Sequence, residues 1–335
     1  MQSYSKNSEE AEVIGLFFSD EPVGYEIIPF SRGDEDFREV IIAQWTSGEK
    51  RVIKLAENGF TSPERIKVWQ RCAEEHRRLG YYCPEFICDK NGSFPVVDYK
   101  GHRCTVFAEE FSKYPTAEQL EKDKVEFQSW WDDAITMVAR IAAEKLDFAE
   151  FPSGYCLFER FSETDKTDEV IEVALDWKKY ADTLPVEFHE QVERIWKLWN
   201  DNRNALEPIY KTLPTSVFQA DINNTNVLMD ENGKFVGILD FNLCGKDVFL
   251  NYLFRECRIE VSCVQQTLKT VSAVYKFSDI EKQAAPLIFR CVEPIFYNAL
   301  DDLKEAGEDK EKIKLCLDRA EHELTADFDF AAYMG

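Results

Sequence analysis

The sequence predicts an α+β fold in two parts. An antiparallel five-stranded sheet with one helix is expected over residues 1–111, and a larger, mainly helical part over 112–335. Three observations carry this reading. Residues 25–111 are broken into short β-branched or aromatic runs separated by glycine or charged turns. From residue 116 onward the apolar residues recur at helical spacing. Late in the chain, residues 217–245 interrupt the helices with two short apolar runs joined by Asp230-Glu231-Asn232-Gly233, which is strong hairpin chemistry.

Composition sets the outer bounds. A chain of 335 residues with 44% hydrophobic residues is long enough for two parts that each bury a core. No apolar run reaches the roughly 18 residues of a membrane span, and MQSYSKNSEEAEV lacks the basic-then-apolar order of a signal peptide. The 10 cysteines are scattered without a C-x-x-C pair, so reduced, packed thiols in a cytoplasmic protein are expected, with neither a zinc site nor a disulfide framework. A formal charge of -23 argues against nucleic-acid binding, which needs lysine and arginine clusters. Acidic charge keeps a protein soluble, and it also suits a cationic small molecule.

In order, Tyr25–Phe30, Glu39–Trp45 and Arg51–Ala56 read as a meander, with Thr46-Ser47-Gly48-Glu49 as its second turn. Lys54 lies among Val52, Ile53 and Leu55, where a lysine ordinarily faces solvent. Ser62 and Pro63 then start a helix that runs to about Leu79. On it Val68, Cys72, Glu75 and Leu79 share a face, so Glu75 would need a cation there, with Glu74 as the alternative. Pro84–Cys88, Phe94–Tyr99 and Arg103–Phe111 are further strands, and Ser112–Pro115 reads as a linker. Helices follow over Thr116–Leu146, Glu169–Tyr180 and Pro185–Lys211, with an irregular stretch at 148–165. Beyond Asp247 the chain is mostly helical again.

The hairpin matters most. Val227–Met229 and Phe235–Leu239 paired as strands bring the residues before the first beside those after the second. The oxygen-bearing side chains of Asp221, Asn226 and Asp240 then converge, a donor set that suits a hard cation such as magnesium held together with phosphates.

Lys54, Glu75, Asp221, Asn226 and Asp240, in that order, resemble the pattern of the aminoglycoside phosphotransferase and choline kinase family, which has the protein-kinase-like two-lobed fold. The specific part of the resemblance is Gln219-Ala220-Asp221-Ile222-Asn223-Asn224-Thr225-Asn226-Val227-Leu228 followed by Gly237-Ile238-Leu239-Asp240-Phe241. It implies transfer of the γ-phosphate of ATP or GTP to a hydroxyl of a small molecule: an aminoglycoside-like antibiotic, an amino alcohol or a sugar. Asp221 would be the base, and Asn226 and Asp240 would hold Mg2+. Lys54 would meet the α/β-phosphates, Glu75 would hold Lys54, and the loop with Ser31 and Gly33 would cover the phosphates. The purine would lie against free strand-edge backbone at Ala108, Glu109, Glu110 and Phe111. The acidic bias and the aromatic residues favour a cationic acceptor, with Asn251, Tyr252, Arg255 and Glu256 marking the region that would line its site.

The sequence departs from the family pattern where Gln219 replaces a histidine and Ala220 a glycine. Asn242 stands third after Asp240-Phe241, where a left-handed backbone is expected. Two rival readings are a pseudokinase that binds nucleotide without turnover, and an acidic helical binding protein in which Asp221–Asn226 is only an Asx-rich turn.

Overall fold

The computed structural model of the chain describes residues 2–6, 8–33, 35–256 and 261–335, and the side chains of residues 256 and 261–263 lie outside that description. In chain order the first elements are β1 (Gln2–Ser3), α1 (Glu9–Phe17), β2 (Gly24–Pro29), β3 (Phe37–Gln44), β4 (Lys50–Glu57), α2 (Pro63–Arg78), β5 (Phe86–Ile87), β6 (Val96–Tyr99), β7 (His102–Glu110) and α3 (Ala117–Lys122). Then come α4 (Trp131–Glu144), α5 (Glu169–Ala181), α6 (His189–Tyr210), β8 (Thr215–Phe218), β9 (Val227–Met229), β10 (Phe235–Ile238) and β11 (Gly245–Val248). The chain ends in α7 (Phe249–Glu256), α8 (Val261–Ser272), α9 (Asp279–Val292), α10 (Tyr297–Ala306) and α11 (Lys310–Thr325). By their contacts these form two compact units, one of Met1–Trp130, Ser162–Thr164 and Asp221–Cys244, the other of Trp131–Phe161, Asp165–Ala220 and Gly245–Gly335.

The first unit is built on a 7-stranded antiparallel sheet in the order β1-β2-β3-β4-β7-β5, with β6 also on β7. β1 and β5 have only two residues each: β5 is the short core of the strand expected over Pro84–Cys88, and β1 lies outside the expected strands. Strand alternation turns Ile41, Ala43, Ile53, Leu55, Val106 and Ala108 inward against Val13, Ile14 and Phe17 of α1. The Ser8 hydroxyl caps its first turn by accepting from Ala11 N.

Helix α2 starts as its Ser62 cap and Pro63 dictate, but its inward face differs from the expected one. The buried stripe is Ile66, Trp69, Cys72, Ala73 and His76, rotated by about one residue from Val68-Cys72-Glu75-Leu79. Trp69 decides this rotation, since it carries the largest apolar surface on the helix and packs edge-on against Phe107, 5.9 Å between ring centroids.

The expected long helix over Thr116–Leu146 is two, α3 and α4, with a break at residues 123–130. The break follows the hairpin tip: Gln128 N donates to Gly233 O at 3.0 Å, and a Cβ on Gly233 would lie 2.8 Å from Phe127 Cα. The hairpin closes as its sequence requires, with Asp230 Oδ1 accepting from Asn232 N and Lys234 N and Gly233 at φ +68. Its strand β10 lies directly on the backbone after α2: Tyr82 N donates to Val236 O, and Ile238 N to Tyr82 O. Gly237 permits this approach, because a Cβ there would stand 1.8 Å from Tyr82 O.

The second unit packs α4–α11 around Trp177, Trp199, Leu206, Phe249, Phe254 and Phe289. It includes an antiparallel ladder, Gly245↔Phe218 to Val248↔Thr215, so the segment carrying the hairpin leaves from and returns to one pair of strands. Buried Asp247 organises the end of that ladder, accepting from Ser153 Oγ at 2.7 Å, Tyr210 Oη at 2.8 Å, Asn251 Nδ2 and Val248 N. Arg203 pairs with Asp168 between α6 and the N-terminus of α5. Among the described residues no helix is long and apolar enough to cross a membrane, and the described cysteines are free thiols.

Candidate active site

The core of the site lies within the first unit. The loop from Asp221 is tied down at both ends. Asn226 N and Val227 N donate to Asn223 O, Leu239 N donates to Asn226 O at 2.9 Å, and Asn224 O accepts from Glu118 N of α3. Asn226 Nδ2 donates to Asp221 Oδ2 at 2.8 Å and to Asp221 O at 2.9 Å. Asn223 Nδ2 donates to the other carboxylate oxygen, Oδ1, at 2.8 Å. Asp221 therefore accepts from two amides, one on each oxygen.

Burial raises the pKa of Asp221 above its ordinary value of 3.8, and the Asp240 carboxylate adds to the rise; the Asn223 and Asn226 amides and the Arg32 charge oppose it. The balance favours a carboxylate that takes a proton more readily than an exposed aspartate.

Lys54 Nζ lies 3.1 Å from Glu109 Oε2 and 3.7 Å from Asp240 Oδ1. Burial works against the lysine charge, but the Asp240 and Glu109 carboxylates outweigh it and raise its pKa. Glu109 is pushed up, first by burial and then by Asp240, against the pull of Lys54. One cation thus serves two carboxylates, leaving the cluster net negative.

Glu75 does not hold Lys54. It pairs with Arg78 at 2.7 Å, because Trp69 and His76 take the inner face of α2 and turn Glu75 to the flank, while Glu74 is exposed. The place beneath Lys54 is aromatic instead. Phe86 stacks on Phe107 at 5.5 Å, and Phe241 meets both Phe86 at 6.2 Å and His76 at 5.7 Å.

The backbone expected to be free is not so. β7 is flanked by β4 through Arg51↔Glu110 and by β5 through Phe86↔Glu109 and Ile87↔Ala108, and Glu110 N donates to Glu85 O. Of Ala108, Glu109, Glu110 and Phe111, only Phe111 lies past the ladder, 41% exposed. The two-residue β5, which lies within the strand expected over Pro84–Cys88, closes that edge.

In the β2–β3 loop, Ser31 Oγ accepts from Arg38 N at 3.0 Å and Arg32 N donates to Asp36 O at 2.9 Å. Gly33 sits at φ +74 at the exposed tip, and Asp34 lies outside the described residues.

The left-handed backbone expected at Asn242 falls elsewhere, at Ala220 (φ 68) and at Asp240 itself (φ 60). Gln219 is buried, 1% exposed. In the second unit, Asn251 and Tyr252 are interior residues rather than a lining. Asn251 donates to Asp247 and to Tyr155 O, and Tyr252 stacks on Phe218 at 4.8 Å, because residues 249–255 of α7 are all buried. Arg255 is also buried, paired with Glu169 at 3.3 Å and lying 3.6 Å from the Tyr155 ring centroid. The side chain of Glu256 lies outside the described residues.

The sequence reading missed Asn223 and the side chain of Glu109. Asn223 is two residues past Asp221, ordinary Asx-turn spacing. Glu109 follows from strand parity, because Lys54 faces Phe107 across the ladder and Glu109 projects on the same side as Phe107.

A sheet-based unit carrying a lysine, joined to a hairpin that presents aspartate, asparagine and aspartate oxygens, defines a protein-kinase-like phosphotransferase. The chain belongs to the phosphotransferase enzyme family, APH, whose model matches residues 27–250. It is similar in fold to a microcompartment-associated aminopropanol kinase (TM-score 0.55, 13% identity, covering 93% of this chain and 94% of that one). It is also similar to an amicoumacin kinase in complex with AMP-PNP, Ca2+ and Ami (TM-score 0.52, 12% identity, covering 96% and 95%). No curated protein matches the chain.

Proposed function

We propose that the protein moves the terminal phosphoryl group of ATP or GTP to a hydroxyl of a small cationic molecule, with Asp221 as the base. The observation that carries this reading is the pair of hydrogen bonds that Asn226 donates to Asp221. With its amide nitrogen committed there, the Asn226 amide oxygen, which accepts from Thr225 Oγ1 at 3.3 Å, would offer a hard donor to a cation, so one residue orients the base and holds the metal. Asp240 supplies the second such oxygen, and an amide with a carboxylate is a donor set that magnesium accepts when phosphates complete its shell. Bound magnesium would neutralise phosphate charge in this net-negative cluster.

The chain's own groups do the rest. The Asp221 carboxylate, held from both sides by amides, orients the acceptor hydroxyl and receives its proton as the oxygen attacks phosphorus. Lys54 stays charged and meets the phosphate oxygens. The β2–β3 loop with Ser31 and Gly33 lies over the phosphates, and the purine meets backbone beginning at Phe111. Residues 1–111 would serve as the nucleotide-binding lobe and 112–335 as the lobe with the acceptor site. The charge of -23 supports a cationic acceptor.

Melting curves test the reading. MgATP or MgGTP raises the melting temperature of the wild type, and Asp240→Asn loses the magnesium-dependent part. No nucleotide effect on melting would sink the proposal.

A further inference from the structure

We infer that the Glu109 side chain, on β7, is the positioning residue for Lys54, in the place that a carboxylate from α2 was expected to fill. The inference rests on the phosphotransfer reading above.

Three observations carry it. Glu109 Oε2 lies 3.1 Å from Lys54 Nζ, closer than Asp240 at 3.7 Å. The Glu109 side chain is 7% exposed, so it is committed to this pairing rather than to water. Glu75 on α2 is paired with Arg78, and the inward face of α2 is filled by Trp69 and His76.

The arrangement has a mechanical consequence. Lys54 and Glu109 stand on adjacent strands of one ladder, at diagonal positions on the same face, so their spacing is fixed by backbone hydrogen bonds. A carboxylate on α2 would hold the lysine only as well as the helix holds its place against the sheet.

It also has an electrostatic consequence. Asp240 also contacts Lys54, and a cation bound by its carboxylate would weaken that contact. Glu109 is the counter-charge that would remain, keeping the ammonium aimed. Without it, Lys54 loses its nearest carboxylate and is free to swing from the position β7 holds it in.

The test is magnesium-dependent ATP hydrolysis by the full chain and its Glu109→Gln, Glu75→Gln, Lys54→Ala and Lys54→Ala/Glu109→Gln variants. Glu109→Gln is expected to lower kcat/KM for MgATP by about 100-fold, the scale of a catalytic group displaced by about an ångström. Glu75→Gln is expected to act like the wild type, and the double variant to be no slower than Lys54→Ala, because a residue acting through Lys54 has nothing left to position. If Glu109→Gln fails to fold, Glu109→Asp carries the same comparison with the charge retained, and should fall between the wild type and Lys54→Ala. The inference is overturned if Glu109→Gln is unimpaired, if Glu75→Gln is the impaired variant, or if the Glu109 and Lys54 losses multiply. A wild type that neither binds nor hydrolyses MgATP overturns the phosphotransfer reading itself.

Discussion

Asn226 and Asp221 act as one unit: the asparagine amide donates both to the aspartate carboxylate, at 2.8 Å, and to its main-chain oxygen, at 2.9 Å. The proposed base and the proposed cation ligand therefore hold each other in place before any substrate arrives. This preorganisation is what phosphoryl transfer asks of a protein, since most of the catalysis is positioning and charge stabilisation.

The pH dependence of turnover follows from that unit. Burial and Asp240 hold the Asp221 pKa above 3.8, so the acid limb of the pH–rate curve lies above 3.8. The Asn223 amide favours the charged carboxylate, so Asn223→Ala disfavours it and moves the acid limb to higher pH. A limb that stays in place or falls, in a rate–pH series on the two proteins, would contradict the assignment of Asp221 as base.

Ala220 occupies a left-handed conformation at φ 68, which costs an L-residue about 1–2 kcal/mol. Its methyl group is fully buried, and losing it costs about 1 kcal/mol. Ala220→Gly should thus be neutral or stabilising in urea melts. Ala139→Gly, at an equally buried position inside α4, should cost about 1 kcal/mol or more. Equal losses at both sites would show that no strain resides at Ala220.

Gly237→Ala places a methyl 1.8 Å from Tyr82 O and must push β10 off the backbone after α2. The expected loss is about 3 kcal/mol, at the upper end of overpacking costs. Denaturation midpoints measure it, and a wild-type midpoint would mean that the strand does not approach so closely.

Asp247 accepts from Ser153, Tyr210, Asn251 and Val248 in the interior of the second unit. Asp247→Ala orphans these donors together, with a loss of about 3 kcal/mol or more. Asp247→Asn, which still accepts on one oxygen, should lose less. If both variants melt alike, the network is not what holds the end of this ladder.

Much of this was legible in the residues. Asp230 and Gly233 announce the hairpin, and once it closes, Asp221, Asn226 and Asp240 have to approach one another. Ser62 and Pro63 fix the start of α2. What escaped was orientation. A stripe through Val68 and Glu75 and one through Ile66, Trp69 and His76 differ by one residue, and only packing against Phe107 decides between them. The strand over Pro84–Cys88 is legible, but not its partner, and the pairing of β5 with β7 removes the free backbone expected at Ala108–Glu110. Asn251 and Tyr252 resembled a lining because they are polar or aromatic, and they are interior because residues 249–255 of α7 are all buried.

The most direct measurement is single-turnover transfer or hydrolysis of γ-labelled ATP with magnesium, comparing the wild type with Asp221→Asn, while nucleotide binding is followed in the same samples. The expected result is equal binding with turnover lowered by about 10²- to 10⁴-fold in the variant, as for loss of a general base. Unchanged turnover in Asp221→Asn, or a wild type that binds nucleotide without ever transferring phosphate, would contradict it.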